Sequence, residues 1–483
     1  MAEAQARLGN FDRAFVSFHR AVEIAPDSHE AVIGLVDFSL ERFKRMSEQL
    51  RSSQPGLAAE YRLQALSSPP DRSRIQLLRH AANLDSKARG VWGELAVEEI
   101  AGGDDEQGRE DIKRALHDNP DDLRAWFAEA VLSAKNGDWA AAYVNLDKIG
   151  QHSPGILASS ASDWPKSLEP PTSQPPPAAV AGFFQCVRDT AKACLPSRKP
   201  ASGSVARSAN QASASSTLFS QQRWEKLAEL PDPGRKDSLS WYRRGVAFAQ
   251  TSRCEKAIPA LELGTKEPSV AVDAMYFLAR CYAKVTGRIA DSLQLENKDQ
   301  VLQHVIRGDV LLRLQANSDA AVREYQIASQ LQPGDPSVWE RLAEAQLGAG
   351  QVDAAKSSAA KALQLDAHRV SAIHTLAKVA MEEREYAEAL PYLRELAQRT
   401  PDDLSTRVEL GTACANTGAL EEALDNLETA LGRGYPDEKG SLHYLLGTVL
   451  RKMNRMTQAE QAFQTSQELA RRFQEVSHRD QKE

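Results

Sequence analysis

Trp339-Glu340-Arg341-Leu342-Ala343 is the stretch of sequence that decides the fold. The pattern continues through Gly350, Ala355 and Ala362 and closes on Leu365-Asp366. A small residue directly after the leucine lets a second helix approach closely, and Ala355 supplies a small residue on that second helix. The stretch therefore predicts two helices packed against each other.

The same pattern returns every 34 residues along much of the chain. Trp92, Gly103 and Pro120 recur as Trp126, Gly137 and Pro154. The small positions expected on the first helices are Ala96, Ala130, Gly245, Ala279, Gly308, Ala343, Ala377, Gly411 and Gly447. The small positions expected on the second helices are Gly108, Ala142, Ala257, Ala321, Ala355, Ala389, Ala423 and Ala459. Chance recurrence in an alanine-rich helical chain is the alternative, and so many coincident small positions disfavour it.

This period and these residues resemble the tetratricopeptide repeat, in the form found in multi-repeat bacterial-type members of that family. The resemblance implies an all-α fold, an α-solenoid of stacked antiparallel helix pairs that form a superhelix. Bulky residues such as Tyr325, Leu393, Leu427 and Phe463 are expected to fill the gap between successive pairs. The repeat serves as a binding platform in unrelated systems, so the resemblance is informative about fold and much less so about function.

Composition excludes several classes of function. A net charge of -7 disfavours nucleic-acid binding, since nucleic-acid binders usually carry a basic face. No apolar run approaches the roughly 18 residues that a bilayer requires, so we expect a soluble protein without membrane insertion. No secretory signal is visible, and the default expectation is cytoplasmic. Because the first repeat looks truncated at its N-terminus, a secreted or periplasmic location stays open.

The pattern divides the chain into three predicted regions. A first array covers 1–154, with a truncated first repeat and a degenerate stretch at 27–88. A flexible Pro/Ser/Ala-rich linker covers 155–220, with a short helix at 183–195. A second array covers 221–483; its second repeat is stretched by Gly287 to Asp299, and a charged C-terminal helix caps its end.

No catalytic motif is recognisable, and the sequence predicts no catalytic residues, no metal site and no cofactor. Cys186 and Cys194 are the one suggestive pair of cysteines. If 183–195 is a single helix, these residues lie about 12 Å apart, which is too far for a disulfide. We therefore expect no bridge, with any redox role left open.

A cluster of aromatic and basic residues marks a candidate binding surface at the start of the second array: Tyr242, Arg243, Tyr276, Phe277, Arg280 and Lys284. Aromatic and arginine side chains are enriched at the energetic centres of interfaces. We expect Tyr242, Arg243, Arg280 and Lys284 to lie together on the concave side. The alternative is that the aromatic residues pack between repeats and the basic ones are solvated.

Some family members bind a C-terminal carboxylate with lysines, asparagines and an arginine on successive first helices. The corresponding positions here carry Glu340, Arg341, Glu344, His374, Lys378, Val408, Glu409 and Thr412. This mixed set does not support that mode of binding.

The sequence thus predicts a non-catalytic scaffold, not an enzyme, that holds a peptide or protein partner in the concave groove of the solenoid. The alternative is a regulatory or substrate-presenting subunit of an enzyme complex. The identity of the partner does not follow from the sequence.

Overall fold

The computed structural model describes the chain except for residues 1, 27, 54–56, 69–71, 87, 89, 153–156, 158–163, 166, 189–209, 222, 235, 297–298, 438 and 481–483. All regular elements in this described part are helical, which confirms the predicted all-α class. Two compact units are present. Unit 1 comprises Met1–Lys298 with Arg313–Ala316, and unit 2 comprises Asp299–Leu312 with Asn317–Glu483.

The helices of unit 1 are α1 (Ala2–Arg7), α2 (Phe11–Ile24), α3 (His29–Ser53), α4 (Ala58–Ser67), α5 (Arg72–Leu84), α6 (Val91–Ala101), α7 (Asp105–Asp118), α8 (Leu123–Lys135), α9 (Trp139–His152), α10 (Ala178–Arg188), α11 (Asn210–Ser220), α12 (Trp224–Glu229), α13 (Ser238–Gln250), α14 (Cys254–Gly264) and α15 (Ala271–Glu296). Helix pairs α4–α5, α6–α7 and α8–α9 stack in chain order, and α13 pairs with α14.

Helix α15 joins the two ends of unit 1. It is 26 residues long, runs through the stretch that the sequence suggested was an insertion, and packs along the 25-residue α3. It also contacts α4 and α14, while α14 contacts α2. Unit 1 therefore combines helices from both predicted arrays, because α3 occupies the side of α15 where a second helix of its own repeat was expected.

Unit 2 is a regular succession of helix pairs. Its helices are α16 (Gln300–Asp309), α17 (Ser318–Leu331), α18 (Pro336–Gly348), α19 (Val352–Leu365), α20 (Val370–Glu382), α21 (Tyr386–Arg399), α22 (Leu404–Thr417), α23 (Leu420–Gly432), α24 (Ser441–Lys452) and α25 (Met456–Asp480). Each packs against the next in the chain.

Local sequence explains where these helices begin and turn. Asp335 and Asp403 cap α18 and α22, accepting hydrogen bonds from the backbone amides of Ser337 at 2.8 Å and Ser405 at 3.0 Å. The turn inside each pair needs one left-handed residue. Gly350 and Gly418 provide it with φ of 71° and 88°, whereas Arg384 adopts φ 59° at the intervening position.

The predicted small positions lie inside the helix pairs, but their neighbours differ from the expectation. A Cβ added to Gly308 would lie 2.5 Å from the ring of Tyr325, and one added to Gly447 would lie 2.7 Å from the ring of Phe463. The bulky residue of the second helix thus covers the glycine of its own pair. Because glycine has no side chain, a large ring fits within the helix pair. Helix spacing alone did not indicate this arrangement.

Part of the predicted linker is packed. Trp164 is buried and contacts Phe127 of α8 and Trp139 of α9, with ring centroids 6.0 and 6.5 Å apart. Phe183 and Phe184 of α10 join the same aromatic cluster. Trp164, Phe183 and Phe184 are therefore packed, because contacts among five aromatic rings offset part of the ordering cost that the neighbouring prolines suggested.

The short helix of this segment also differs from the prediction. It spans Ala178–Arg188, and Cys186 on it is disulfide-bonded. The expectation of no bridge is wrong for Cys186, since that argument rested only on an assumed helical spacing. Cys194 lies outside the described residues.

No helix within the described ranges is long and apolar enough to cross a membrane.

Candidate functional site

The aromatic and basic cluster predicted from the sequence lies on α13 and α15 of unit 1. Tyr242, Tyr276, Phe277 and Arg280 are buried. Arg243 is half-buried and Lys284 is exposed. The cluster is therefore divided between an internal part and an open part.

Glu94 of α6 is the centre of the internal part. Its carboxylate accepts hydrogen bonds from the Tyr276 hydroxyl at 3.0 Å, from Arg280 Nη1 at 3.2 Å and from Arg62 Nε at 2.9 Å. The Arg62 guanidinium also lies over the Tyr276 ring, 4.1 Å from its centroid. Tyr276 and Arg280 thus bind a carboxylate of their own chain.

The charges at this centre stabilise each other. Burial opposes ionisation of Glu94, but the guanidinium groups of Arg62 and Arg124 outweigh it and hold the pKa of Glu94 below its usual value. Burial likewise raises the pKa of the Tyr276 hydroxyl. A phenol that stays protonated can donate to a carboxylate that stays ionised, so Glu94 has a charge-assisted network inside the protein.

A second buried ion pair reinforces the same packing. Arg42 of α3 donates to both carboxylate oxygens of Glu262 on α14, with Nη2 to oxygen distances of 2.7 and 2.9 Å. The Tyr282 hydroxyl donates to Glu262 at 2.9 Å, and the Phe11 ring lies under the Arg42 guanidinium. Helices α2, α3, α14 and α15 are therefore tied together by one polar network.

Sequence reasoning did not identify Glu94, Arg62, Arg42 or Glu262. One signal was available for the first two, since Arg62 and Glu94 are 32 residues apart, close to the repeat length. The contacts of Tyr276 with Glu94 and of Arg42 with Glu262 span 182 and 220 residues. No local pattern indicates pairs at that separation.

The more accessible surface is the row of first helices in unit 2: α18, α20, α22 and α24, called here the first-helix face. Helix α18 contacts α20, and α22 contacts α24, in addition to the second helices between them. Two positions of each helix recur along this face. They are the residue three before the small position (Glu340, His374, Val408, Tyr444) and the residue one after it (Glu344, Lys378, Thr412, Thr448).

Side chains at one end of the first-helix face hold neighbouring repeats together. Glu340 accepts from Arg369 Nε at 2.6 Å and from the backbone amide of Ser371 at 3.1 Å. Arg341 donates to the fully buried Asp309 at 3.1 Å. The Glu340 and Arg341 side chains, which on sequence alone were available to bind a partner, are therefore engaged within the protein.

The His374 and Glu409 side chains continue this pattern, with Nε2 and Oε2 3.5 Å apart. Both residues are half-buried. The contact joins α20 to α22, although neither of the two facing atoms has a hydrogen-bond partner.

The other end of the face is open. Lys378 is exposed and has no ion pair with any residue in the described part of the chain. The Tyr444 side chain is 61% exposed, and its ring contacts Phe463. Thr412 is half-buried; it lies on α22, the first helix between the one that carries Lys378 and the one that carries Tyr444. A cation and an aromatic ring are thus presented on the same row of helices.

No group of three or more His, Cys, Asp or Glu residues that could hold a metal ion is found within the described part.

Comparisons with known proteins agree with this architecture. Residues 94–143 and 374–439 match a family model described as tetratricopeptide repeat, and residues 440–473 match a second model with the same description. The matched residues fall on α6–α9 and α20–α25. No match is found among curated proteins.

Several solved structures resemble part of the chain. MamA 41-end from Desulfovibrio magneticus RS-1 is 21% identical, with 36% of this chain and 96% of that chain covered and a TM-score of 0.33. MamA AMB-1 in crystal form C2221 is 24% identical, with 35% and 98% covered and a TM-score of 0.32. YrrB, described as a TPR protein with an unusual peptide-binding site, is 18% identical, with 39% and 93% covered and a TM-score of 0.33. The family matches, and not these low scores, carry the assignment.

Proposed function

This chain is a multi-repeat tetratricopeptide protein, a class of protein–protein interaction scaffold, and we propose that it binds a peptide or protein segment on the first-helix face of unit 2. The site is the open end of that face, around Lys378, Thr412 and Tyr444. The scaffold acts without catalysis.

The observation that carries this proposal is the exposure of Tyr444. Glu340, at the equivalent position of α18, is buried and holds the next repeat, whereas Tyr444 leaves 61% of its side chain exposed. A large aromatic side chain supplies much contact area at low entropic cost, which is why tyrosine is enriched at interface hot spots.

A non-catalytic role is supported by how the ionisable groups are used. Glu340 and Arg341 pair with residues of neighbouring repeats, and His374 lies against Glu409. A catalytic acid or base needs to face a substrate-sized cavity, and these groups face one another instead. They are accounted for as links between repeats.

Lys378 determines the expected chemistry of the partner. It is an exposed cation at one of the two recurring positions of the face, whereas Glu344 occupies the equivalent position of α18 and Thr412 that of α22. A segment with an acidic residue beside an apolar or aromatic one would pair with Lys378 and cover Tyr444.

Selection of random peptides of about 12 residues against the full-length chain tests the proposal. A selected peptide is synthesised and titrated calorimetrically against wild type, Tyr444→Ala, Lys378→Ala and Ile327→Ala. We expect Tyr444→Ala to weaken binding about 30-fold, or about 2 kcal/mol, and Lys378→Ala to reduce the salt dependence of binding.

The control is Ile327, an apolar residue on the second helix α17 with 40% of its side chain exposed. Its truncation should leave affinity unchanged. The proposal fails if selection returns no peptide, or if the Tyr444→Ala and Ile327→Ala variants bind equally well.

A further inference from the structure

Unit 1 contains a cavity that lies apart from the first-helix face. It has a volume of about 70 Å³ and is enclosed by α11, α12, the loop after α12 and the first turns of α13. A single water needs only about 10–15 Å³ of such space. The cavity is therefore large enough for several waters or for a small organic ligand.

Hydrogen-bond donors without acceptors line this cavity. Nε of Arg244 is buried and has no hydrogen-bond partner, and neither has the buried hydroxyl oxygen of Ser215. Only 13% of the Arg244 side chain and 4% of Ser215 are exposed. Buried donors that stay unpaired cost about 1–3 kcal/mol each, and more when they are charged, so an acceptor is expected in the cavity.

Asp232 compensates the Arg244 charge only in part. Its Oδ1 lies 3.0 Å from Arg244 Nη1 as an ion pair, but 76% of its side chain is exposed to solvent. Burial lowers the pKa of Arg244, and the attraction of Asp232 does not fully offset this effect. The Nε edge of the guanidinium fork still faces no acceptor.

The remaining walls define the ligand further. Leu227, Leu230, Pro231 and Pro233 make one side apolar. Asp237 caps α13 by accepting from the Ser240 amide at 3.0 Å, which places a carboxylate at the same cavity. That negative charge, together with Asp232, disfavours a doubly charged anion such as phosphate more than a singly charged one.

We propose that this cavity binds a small monocarboxylic acid with a short apolar tail. The carboxylate accepts from Nε of Arg244 and from the Ser215 hydroxyl. The tail lies against Leu230, Pro231 and Pro233. The same chemistry could be presented by a free acid or by the C-terminal residue of a peptide.

Ligand-observed NMR with the full-length chain tests the proposal, using isobutyrate, the peptide Gly-Gly-Val with a free C-terminus, the same peptide with an amidated C-terminus, and inorganic phosphate. We expect isobutyrate to bind and phosphate to bind at least about tenfold more weakly. Binding of the free-acid peptide together with isobutyrate would identify a peptide C-terminus as a possible source. Binding of isobutyrate alone would identify a free acid.

Variants locate the binding. Arg244→Gln should weaken isobutyrate binding at least about tenfold and Ser215→Ala by a few fold, because each removes a donor. Arg288→Gln is the matched control, since Arg288 is an exposed arginine of the same unit paired with Glu255. Circular dichroism melts of each variant establish that unit 1 is folded, and Arg244→Lys, which keeps the charge but not the fork, should restore binding only in part.

The proposal is overturned if none of the four probes binds, which would mean that water alone fills the cavity. It is also overturned if phosphate or the amidated peptide binds as tightly as isobutyrate, or if folded Arg244→Gln binds isobutyrate as well as Arg288→Gln does.

Discussion

The Tyr276 hydroxyl donates to the Glu94 carboxylate across 3.0 Å, although 182 residues separate them in the chain. Both side chains are buried, and Arg62 and Arg280 donate to the same carboxylate. The contact joins α6 to α15. A carboxylate with three donors of its own chain is a structural element of unit 1, whatever unit 1 binds.

Removal of the Glu94 charge should destabilise unit 1 strongly. Glu94→Gln keeps the shape but leaves the guanidinium groups of Arg62 and Arg280 buried without a counter-ion, which typically costs about 3–5 kcal/mol. Urea unfolding followed by circular dichroism measures the loss. The control is Glu98→Gln on the same helix, where a partly exposed pair with Arg74 should contribute less than about 1 kcal/mol. Equal stability of the two variants would contradict the assigned role of Glu94.

Arg243 and Arg280 should behave differently from each other. The sequence suggested that both lie on the concave side or are solvated, whereas Arg280 is buried against Glu94. Arg280→Ala should lower stability by about 1.5–3 kcal/mol, the range for a hydrogen bond to a charged group. Arg243→Ala, at a half-buried position, should change it by less than about 0.5 kcal/mol. Thermal unfolding of the single variants separates them. Partner binding stays a prediction for the whole cluster that the sequence suggested: Tyr242, Arg243, Tyr276, Phe277, Arg280 and Lys284.

The difference between these two arginines shows what the sequence could and could not reveal. The helix pairs of unit 2 were predictable because both helices of a pair lie within one repeat, although the contact of Gly308 with Tyr325 inside its pair was not foreseen. The burial of Arg280 was not, because it depends on helix α6 of the first predicted array. Tyr444 was likewise overlooked as a site residue, since its exposure depends on how its helix packs and not on its residue type.

The stability of unit 1 should fall as pH rises from 4.5 to about 7 because of Glu99. This residue and Asp111 are both fully buried. Burial raises the pKa of Glu99 to about 7, with the neighbouring Asp111 carboxylate also raising it against the opposing effect of Arg79. Between the usual value of 4.5 and about 7, the folded chain holds a proton that the unfolded chain releases. The free energy of unfolding therefore decreases with pH over this range.

Urea unfolding at about pH 5 and about pH 8 tests this assignment. Glu99→Gln mimics the protonated acid, so the difference in stability between the two pH values should be smaller than in wild type. Glu106→Gln, at an exposed position of α7, should preserve the wild-type difference. An unchanged pH dependence in Glu99→Gln would show that another group is responsible.

An added methyl group at Gly308 should overpack its helix pair. The new Cβ would lie 2.5 Å from the Tyr325 ring, and that ring is held by a hydrogen bond of 2.7 Å from its hydroxyl to Asp309. Because the ring is fully buried and cannot swing aside, Gly308→Ala should cost about 1–3 kcal/mol. Gly432→Ala is the control, since no heavy atom lies within 4 Å of its added Cβ. Alanine there should be neutral or stabilising by up to about 1 kcal/mol. The denaturation midpoint of Gly308→Ala should therefore fall below that of wild type, whereas that of Gly432→Ala should stay the same or rise.

The ion pair between Arg42 and Glu262 has a consequence for biosynthesis. The two residues are 220 positions apart, so at about 5–20 residues per second a ribosome needs about 10–45 s after making Arg42 before it reaches Glu262. During that interval α3 is complete, but α15, along which it packs, does not yet exist, and α3 carries the apolar residues Leu35, Val36 and Leu50 that are buried in the folded chain. The nascent chain therefore exposes a long apolar helix while later repeats are still being translated. This interval is when a holding chaperone would have the most surface to bind, whereas the helix pairs of unit 2 can close almost as soon as they emerge.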